Sequence, residues 1–290
     1  MTQNPLLDYY RQKEIYVTLP TGGRWYKNNK NLMNDGEIGV RAMSVRDELT
    51  LTIPDALYNG QAIFDLIASI APDIDDPSEI CLPDVDVILL ASRAASIDKK
   101  MSIESKCPHC EETTMYEMDL AQILSKVKVV AEDSILEMDG LSITMKPNSL
   151  RSTTANNIKL GQSVKAITEL KDAGDLENLP KLYEESLSMA AAANIAIIAD
   201  TIISVTLPDG TVVEDMQHIC DWLTNSNRRL MDALQLQSTR LNNNGLEKEF
   251  KFTCDSETCG KDFTGPVEFN PAFFFKERSL TLAELKKSPL

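Results

Sequence analysis

Apolar and polar positions alternate along residues 14–26, EIYVTLPTGGRWY, as far as a Pro-Thr-Gly-Gly run. That is the pattern of a half-buried strand ending in a turn whose glycines accept positive φ. Residues 36–43, GEIGVRAM, predict a second strand. The spacing then becomes helical. SVRDELTL opens on Ser44 and places Asp47 and Glu48 in its first turn, an N-terminal capping pattern. Gln61–Ala71 is apolar on one face and stops at Pro72. Asp84–Ile97 starts at another capping residue and predicts a buried helix. LSITMKP, 141–147, alternates again.

From Leu150 to Asn243 the pattern is helical with one break. It predicts a helix over Leu150–Leu170, a loop, and a long helix from Pro180 to about Ile203. A hairpin follows around the Asp-Gly turn of SVTLPDGTVVED, then helices at Met216–Ser226 and Asn227–Leu241. Met189–Val205 is apolar on nearly every face, which favours a core helix over a groove-forming one.

Two further alternating segments differ from the rest by carrying cysteines. In KKMSIESKCPHCEETTMYEMDL a strand runs into Cys107, a tight turn reaches Cys110, and a second strand leaves. EKEFKFTCDSETCGKDFTGPVEFN repeats the plan with Cys254 and Cys259. Two hairpins that each present two thiolates at their tips can close an all-cysteine tetrahedron around Zn2+, the logic of a zinc ribbon. Four sulfurs leave no open position for water or substrate, so such a zinc is structural and its binding energy goes into folding. The second pair has four residues between its cysteines where the usual knuckle has two. His109 lies inside the first knuckle, but four sulfurs fill the site without it. Cys81 and Cys220 stand in apolar surroundings and read as small core residues. His218 has no flanking ligands and reads as an ordinary core or surface histidine.

The fold class that follows is α+β. Zinc-ribbon-like hairpins join an N-terminal α+β region, 1–148, that contains the first knuckle. A helical insertion covers 149–245, the second knuckle 246–276, and a C-terminal tail 277–290. Phe273–Phe275 cannot all face one way in a strand; they either pack on the chain's own sheet or reach a partner or the ribbon.

A net charge of −15 over 290 residues opposes binding to a phosphate backbone. Glu104, Glu111, Glu112, Asp255 and Glu257 around the knuckles add to that repulsion, so a zinc-ribbon nucleic-acid binder is the less favoured alternative. The start of the chain has no long apolar stretch of the signal-peptide kind, which points to a reducing compartment and favours metal over disulfides. Met189–Val205 is shorter than a bilayer span. No P-loop, GxGxxG or GxSxG motif is present, and two histidines offer little for a catalytic triad. The residues favour an interaction protein over an enzyme.

LPTGGRWY, GEIGVRAMSVRDELTL, LYNGQAIFDLIAS, LPDVDVILLASRAAS, CPHC and a second cysteine pair ending in FNPAFFF occur in that order. The ordered set resembles the baseplate hub assembly proteins of T-even-like myophages, a group placed with tail assembly chaperones that act on the tape-measure protein. The resemblance runs over about 14–147 and, more loosely, 246–276. It implies a non-catalytic role in building the hub and the tail that grows on it. The implied partners are tail and baseplate hub proteins, with the tape-measure protein a candidate, and neither nucleic acid nor membrane. The implied location is the host cytoplasm during assembly, or the virion baseplate if the protein stays as a permanent hub subunit.

Overall fold

The computed structural model describes residues 10–26, 36–51, 60–96, 99–130, 134–172, 179–256 and 258–267. Phe273–Phe275 and the 277–290 tail lie outside the described residues. The protein is α+β, with helices beside small antiparallel sheets.

Strands β1 (Lys13–Thr18) and β2 (Glu37–Arg41) pair antiparallel, and both turn glycines, Gly22 and Gly23, have positive φ. Helix α1 (Val45–Leu51) is capped reciprocally: the Asp47 N–H donates to Ser44 Oγ at 3.2 Å and the Ser44 N–H donates to Asp47 Oδ2 at 2.8 Å. Helix α2 (Gln61–Ile70) buries Ala62, Leu66, Ile67 and Ile70, the face its periodicity marks. Helix α3 (Leu82–Ser96) is buried on most sides and packs against β1, β2 and α2.

Helix α3 starts two residues before Asp84. Pro83 fits the first turn because no intrahelical N–H is lost there. Asp84, expected as a cap, is instead fully buried and turned toward the loop after β1. It accepts hydrogen bonds from the Thr21 N–H at 2.9 Å and from the Thr21 and Tyr26 hydroxyls. A buried carboxylate needs donors, and this loop supplies three.

Two hairpins extend this first body. The first is β3 (Lys100–Lys106) with β4 (Thr113–Asp119), followed by the short helix α4 (Leu120–Leu124). The second, β9 (Glu249–Thr253) with β10 (Asp262–Pro266), comes from the far end of the chain. Their inward residues Met101, Met118, Phe252 and Phe263 belong to the same core as Leu66, Ile67, Ile88 and Leu90.

A second core lies on a four-stranded sheet of order β5-β6-β7-β8: β5 (Ile135–Met138), β6 (Leu141–Met145), β7 (Ile202–Thr206) and β8 (Val212–Val213). Between β6 and β7 the chain makes a long excursion through α5 (Leu150–Asp172) and α6 (Leu179–Thr201). Its two ends are tied together, since Asp200 accepts from the Ser149 N–H at 2.8 Å and from the Ser149 hydroxyl. Helices α7 (Met216–Thr224) and α8 (Arg228–Asn242) cover the sheet with Ile219, Leu223, Leu230 and Leu234. Asp215 and Asn227 cap them through their side chains. Strands on both sides of residue 148 therefore share one sheet and one core.

Met189–Val205 is not one core helix. Helix α6 ends at Thr201 and Ile202–Thr206 forms a strand, because β6 offers a ladder to a β-branched run. Burial begins only at Ala193, while Tyr183, Leu187 and Met189 upstream are exposed. An apolar run on a projecting hairpin has the same local pattern as one in a core. LSITMKP predicts strand β6, whereas its hairpin partner β5 and helix α4 have no counterpart among the sequence expectations. The Asp139–Gly140 dipeptide at the β5–β6 turn is the signal that marks the hairpin.

Candidate metal centre

Cys107 stands at the end of β3 and Cys110 on the turn to β4. Cys254 follows β9, and Cys259 precedes β10. Each hairpin alternates inward and outward residues up to its cysteines, so register sets each cysteine pair at its own hairpin's tip. Below the tips the hairpins meet through three aromatic rings. Tyr116 lies 4.7 Å from Phe252, and Phe252 lies 5.6 Å from Phe263, centroid to centroid. Gly265 allows the close approach, since a Cβ there would sit 3.0 Å from Ser105 Oγ of the other hairpin.

The four sulfurs all lie within 4.8 Å of one another. Cys107 to Cys259 is 3.9 Å and Cys110 to Cys254 is 3.5 Å, both across the hairpin pair. A tetrahedron of sulfurs about 2.3 Å from a central ion has edges of about 3.8 Å, so the set can hold one metal ion. Disulfides need sulfurs about 2.05 Å apart, and all four thiols are free. Among the described residues no other such cluster of metal-ligating side chains forms.

The two knuckles close in the same way despite their different lengths. The Cys107 N–H donates to the Glu112 carbonyl at 2.9 Å, and the Cys254 N–H to the Lys261 carbonyl at 3.0 Å. In both cases the acceptor lies two residues past the second cysteine. The Glu111 N–H donates to the Cys107 carbonyl at 2.9 Å, and the Gly260 N–H to the Ser256 carbonyl at 3.1 Å. The residue after each second cysteine is left-handed, Glu111 with φ 62° and Gly260 with φ 55°. The two extra residues of the second knuckle are thus absorbed between Cys254 and Cys259 without changing how the turn closes. Only the second knuckle has the glycine that suits this conformation.

Electrostatics prepare the cluster for a cation. Burial opposes ionisation of Cys107, but the His109 and Cys110 N–H groups outweigh it and bring the thiol down to about 7. The Ser256 N–H favours the Cys254 thiolate, yet burial and the sulfurs of Cys110, Cys107 and Cys259 push it up to about 12. The Glu112 N–H likewise favours a Cys110 thiolate, and burial with the Cys107 and Cys259 sulfurs raises it overall. One sulfur ionises readily and its neighbours resist a second charge. A divalent ion removes that resistance and draws off the remaining protons.

His109 and His218 are exposed, and neither joins the sulfur cluster. Cys81 is buried at a bridge to Ser149, and Cys220 packs against the second core. The aromatic stack and Glu111 were missed from sequence. Alternation marks Tyr116, Phe252 and Phe263 as inward, but not which hairpin they meet.

No helix among the described residues is long and apolar enough to cross a membrane. A model of the family described as T4 bacteriophage base plate protein matches residues 14–276. No curated protein and no solved structure matches the chain.

Proposed function

Because this chain belongs to the T4 bacteriophage base plate protein family, with a structural or assembly role in the tail baseplate, we propose that it is a non-catalytic assembly protein of the baseplate hub. The observation that carries the reading is the extent of the family match, which runs from β1 through both cysteine hairpins. The metal is a structural Zn2+ held by Cys107, Cys110, Cys254 and Cys259. With four protein sulfurs around it, it clamps the hairpins and meets no substrate. Its contribution is to join chain segments that lie 144 residues apart.

The contact with other tail proteins is made by the α5–α6 excursion. Val164, Tyr183, Leu187 and Met189 are exposed there, with Leu187 71% accessible. Exposed apolar side chains grouped on a projecting helical hairpin suit a helical partner, for which the tape-measure protein is a candidate. Action in the host cytoplasm follows if the protein leaves once the hub is built. The family's description favours a second reading, a permanent subunit of the virion baseplate.

Quantitative mass spectrometry of purified virions against infected-cell lysate separates the two. Abundance in lysate with absence from virions is the expected result. Stoichiometric copies in the virion would replace the assembly reading with the permanent-subunit one.

A further inference from the structure

Between β6 and α5 the chain passes through a buried crossing, and Asn148, 3% accessible, stands where three parts of the molecule meet. Its Nδ2 donates to the Ile197 carbonyl on α6 at 2.8 Å. Its Oδ1 accepts from Asn242 Nδ2 at 2.6 Å and from the Ser238 hydroxyl at 3.2 Å, both on α8. Its N–H donates to Asn242 Oδ1 at 2.9 Å. Its carbonyl accepts from the Leu82 N–H, at the start of α3, at 3.0 Å. Beside it the Leu150 N–H donates to the Ile80 carbonyl at 2.8 Å, and Cys81 and Ser149 form an antiparallel bridge. The polar atoms of one buried residue thus tie α6 to α8 and both to the first body.

An amide suits this place because it offers a donor and an acceptor on one planar group. Aspartate has no donor for a helix carbonyl, and leucine, of similar shape, has neither. A fully satisfied buried network holds its members in one arrangement, since a shift strands a desolvated donor or acceptor. The direction of α6 is sensitive to such a joint. From Leu179 to Ala192, before burial in the second core begins, α6 runs about 21 Å. A tilt of about 10° at its base carries the far end about 4 Å sideways.

We infer that Asn148 is a positioning residue that aims the α5–α6 hairpin, by locking α6 to α8 and to the first body at one buried point. Aim matters because the hairpin is the proposed contact with other tail proteins, and on that reading the purpose of Asn148 rests. The direction of the hairpin is measurable without a partner, so the two can fail separately.

The test is pulsed electron–electron resonance on the full-length chain, spin-labelled through p-acetylphenylalanine. Labels go in pairs at positions 184 on α6, 117 on β4 and 236 on α8, all exposed. In Asn148→Ala the 184–117 and 184–236 distances are expected to spread to about twice the parent's width. The 117–236 distance is expected to keep its width, and the Ile143 and Val205 amides their protection from hydrogen exchange. Asn148→Asp, which removes the donor to Ile197, should spread the same two distances. If Asn148→Ala does not fold, Ser238→Ala, which removes one donor to Oδ1, decides by the same pattern at smaller amplitude. Parental widths for both hairpin pairs would overturn the proposal. So would equal spreading of the 117–236 pair, or spreading that comes only with lost protection at Ile143 and Val205.

Discussion

Single side chains show where this chain departs from what its local pattern favours. Glu111 holds φ 62° because its turn closes as the glycine-bearing turn at Gly260 does. A left-handed non-glycine residue costs about 1–2 kcal/mol, partly offset in a Gly replacement by about 0.5–1 kcal/mol of chain entropy. Glu111→Gly is therefore expected to stabilise the protein by about 0.5–1 kcal/mol in denaturant titration. The exposed contact to Lys106 at 3.4 Å gives little back. Asp84 makes the opposite kind of claim. Burial raises its carboxyl to about 6, against hydrogen bonds from Thr21 and Tyr26 that favour the charged form. A raised folded-state value means that its protonated form fits the fold better. That stability is present below about pH 4 and is lost as pH rises through 6, on the order of 3 kcal/mol. Unfolding measured from pH 4 to 7 should show that fall, and Asp84→Asn should flatten it. Asp47 works in the other direction. Burial opposes its charge, but Ser44, Ser69 and Arg11 hold the carboxyl below its ordinary value, so its contribution is lost as pH falls through that lowered value.

The elements that matter most are the two cysteine hairpins and the α5–α6 excursion. Each hairpin has a half-polar outer face and a few inward residues, too little to be stable alone. Pairing through Tyr116, Phe252 and Phe263 makes them one unit, which a metal held by the sulfurs would clamp. Purified protein is expected to contain one zinc per chain by elemental analysis, and Cys107→Ser to lose it. A metal-free preparation of the unaltered chain would refute the zinc assignment. The excursion is held to the body by the Ser149–Asp200 bonds, by Arg151 with Asp76 and Ser78, and by the burial of Ile198 and Ala199 in the second core. Leu187→Glu, well out along α6, is expected to leave thermal stability within about 0.5 kcal/mol of the parent. The same change should abolish co-purification with hub proteins. Retained co-purification would move the contact elsewhere.

At the scale of the molecule, a metal at the sulfur cluster would close a long loop that passes through the whole second core. Closing a loop of that size is worth about 5 kcal/mol of chain entropy in the folded state's favour. Chelation is expected to lower the denaturant midpoint of the first core strongly and to expose Phe252 and Phe263 to a dye. The second core should melt separately and later. A single coincident transition with and without chelator would show that the cores do not unfold apart. Much of this was legible in the chain. Alternation placed β1, β2, β6 and the cysteine hairpins, because a period of two follows from the strand backbone alone. A capping pattern at Ser44 placed α1, since side-chain bonds at a helix start are local, and helical spacing placed α2, α7 and α8. The sequence by itself therefore determined the α+β character, the two cysteine pairs and a net charge of −15. Only tertiary structure decided that Asp84 clasps a loop instead of capping a helix, that Ile202–Thr206 leaves a helix to join β6, and that Met189 faces outward. Each depends on packing distant in sequence: Thr21 for Asp84, β6 for β7, and, for α6, neighbours that fully bury its described side chains only from Ala193 onward. Local spacing does not encode such partners.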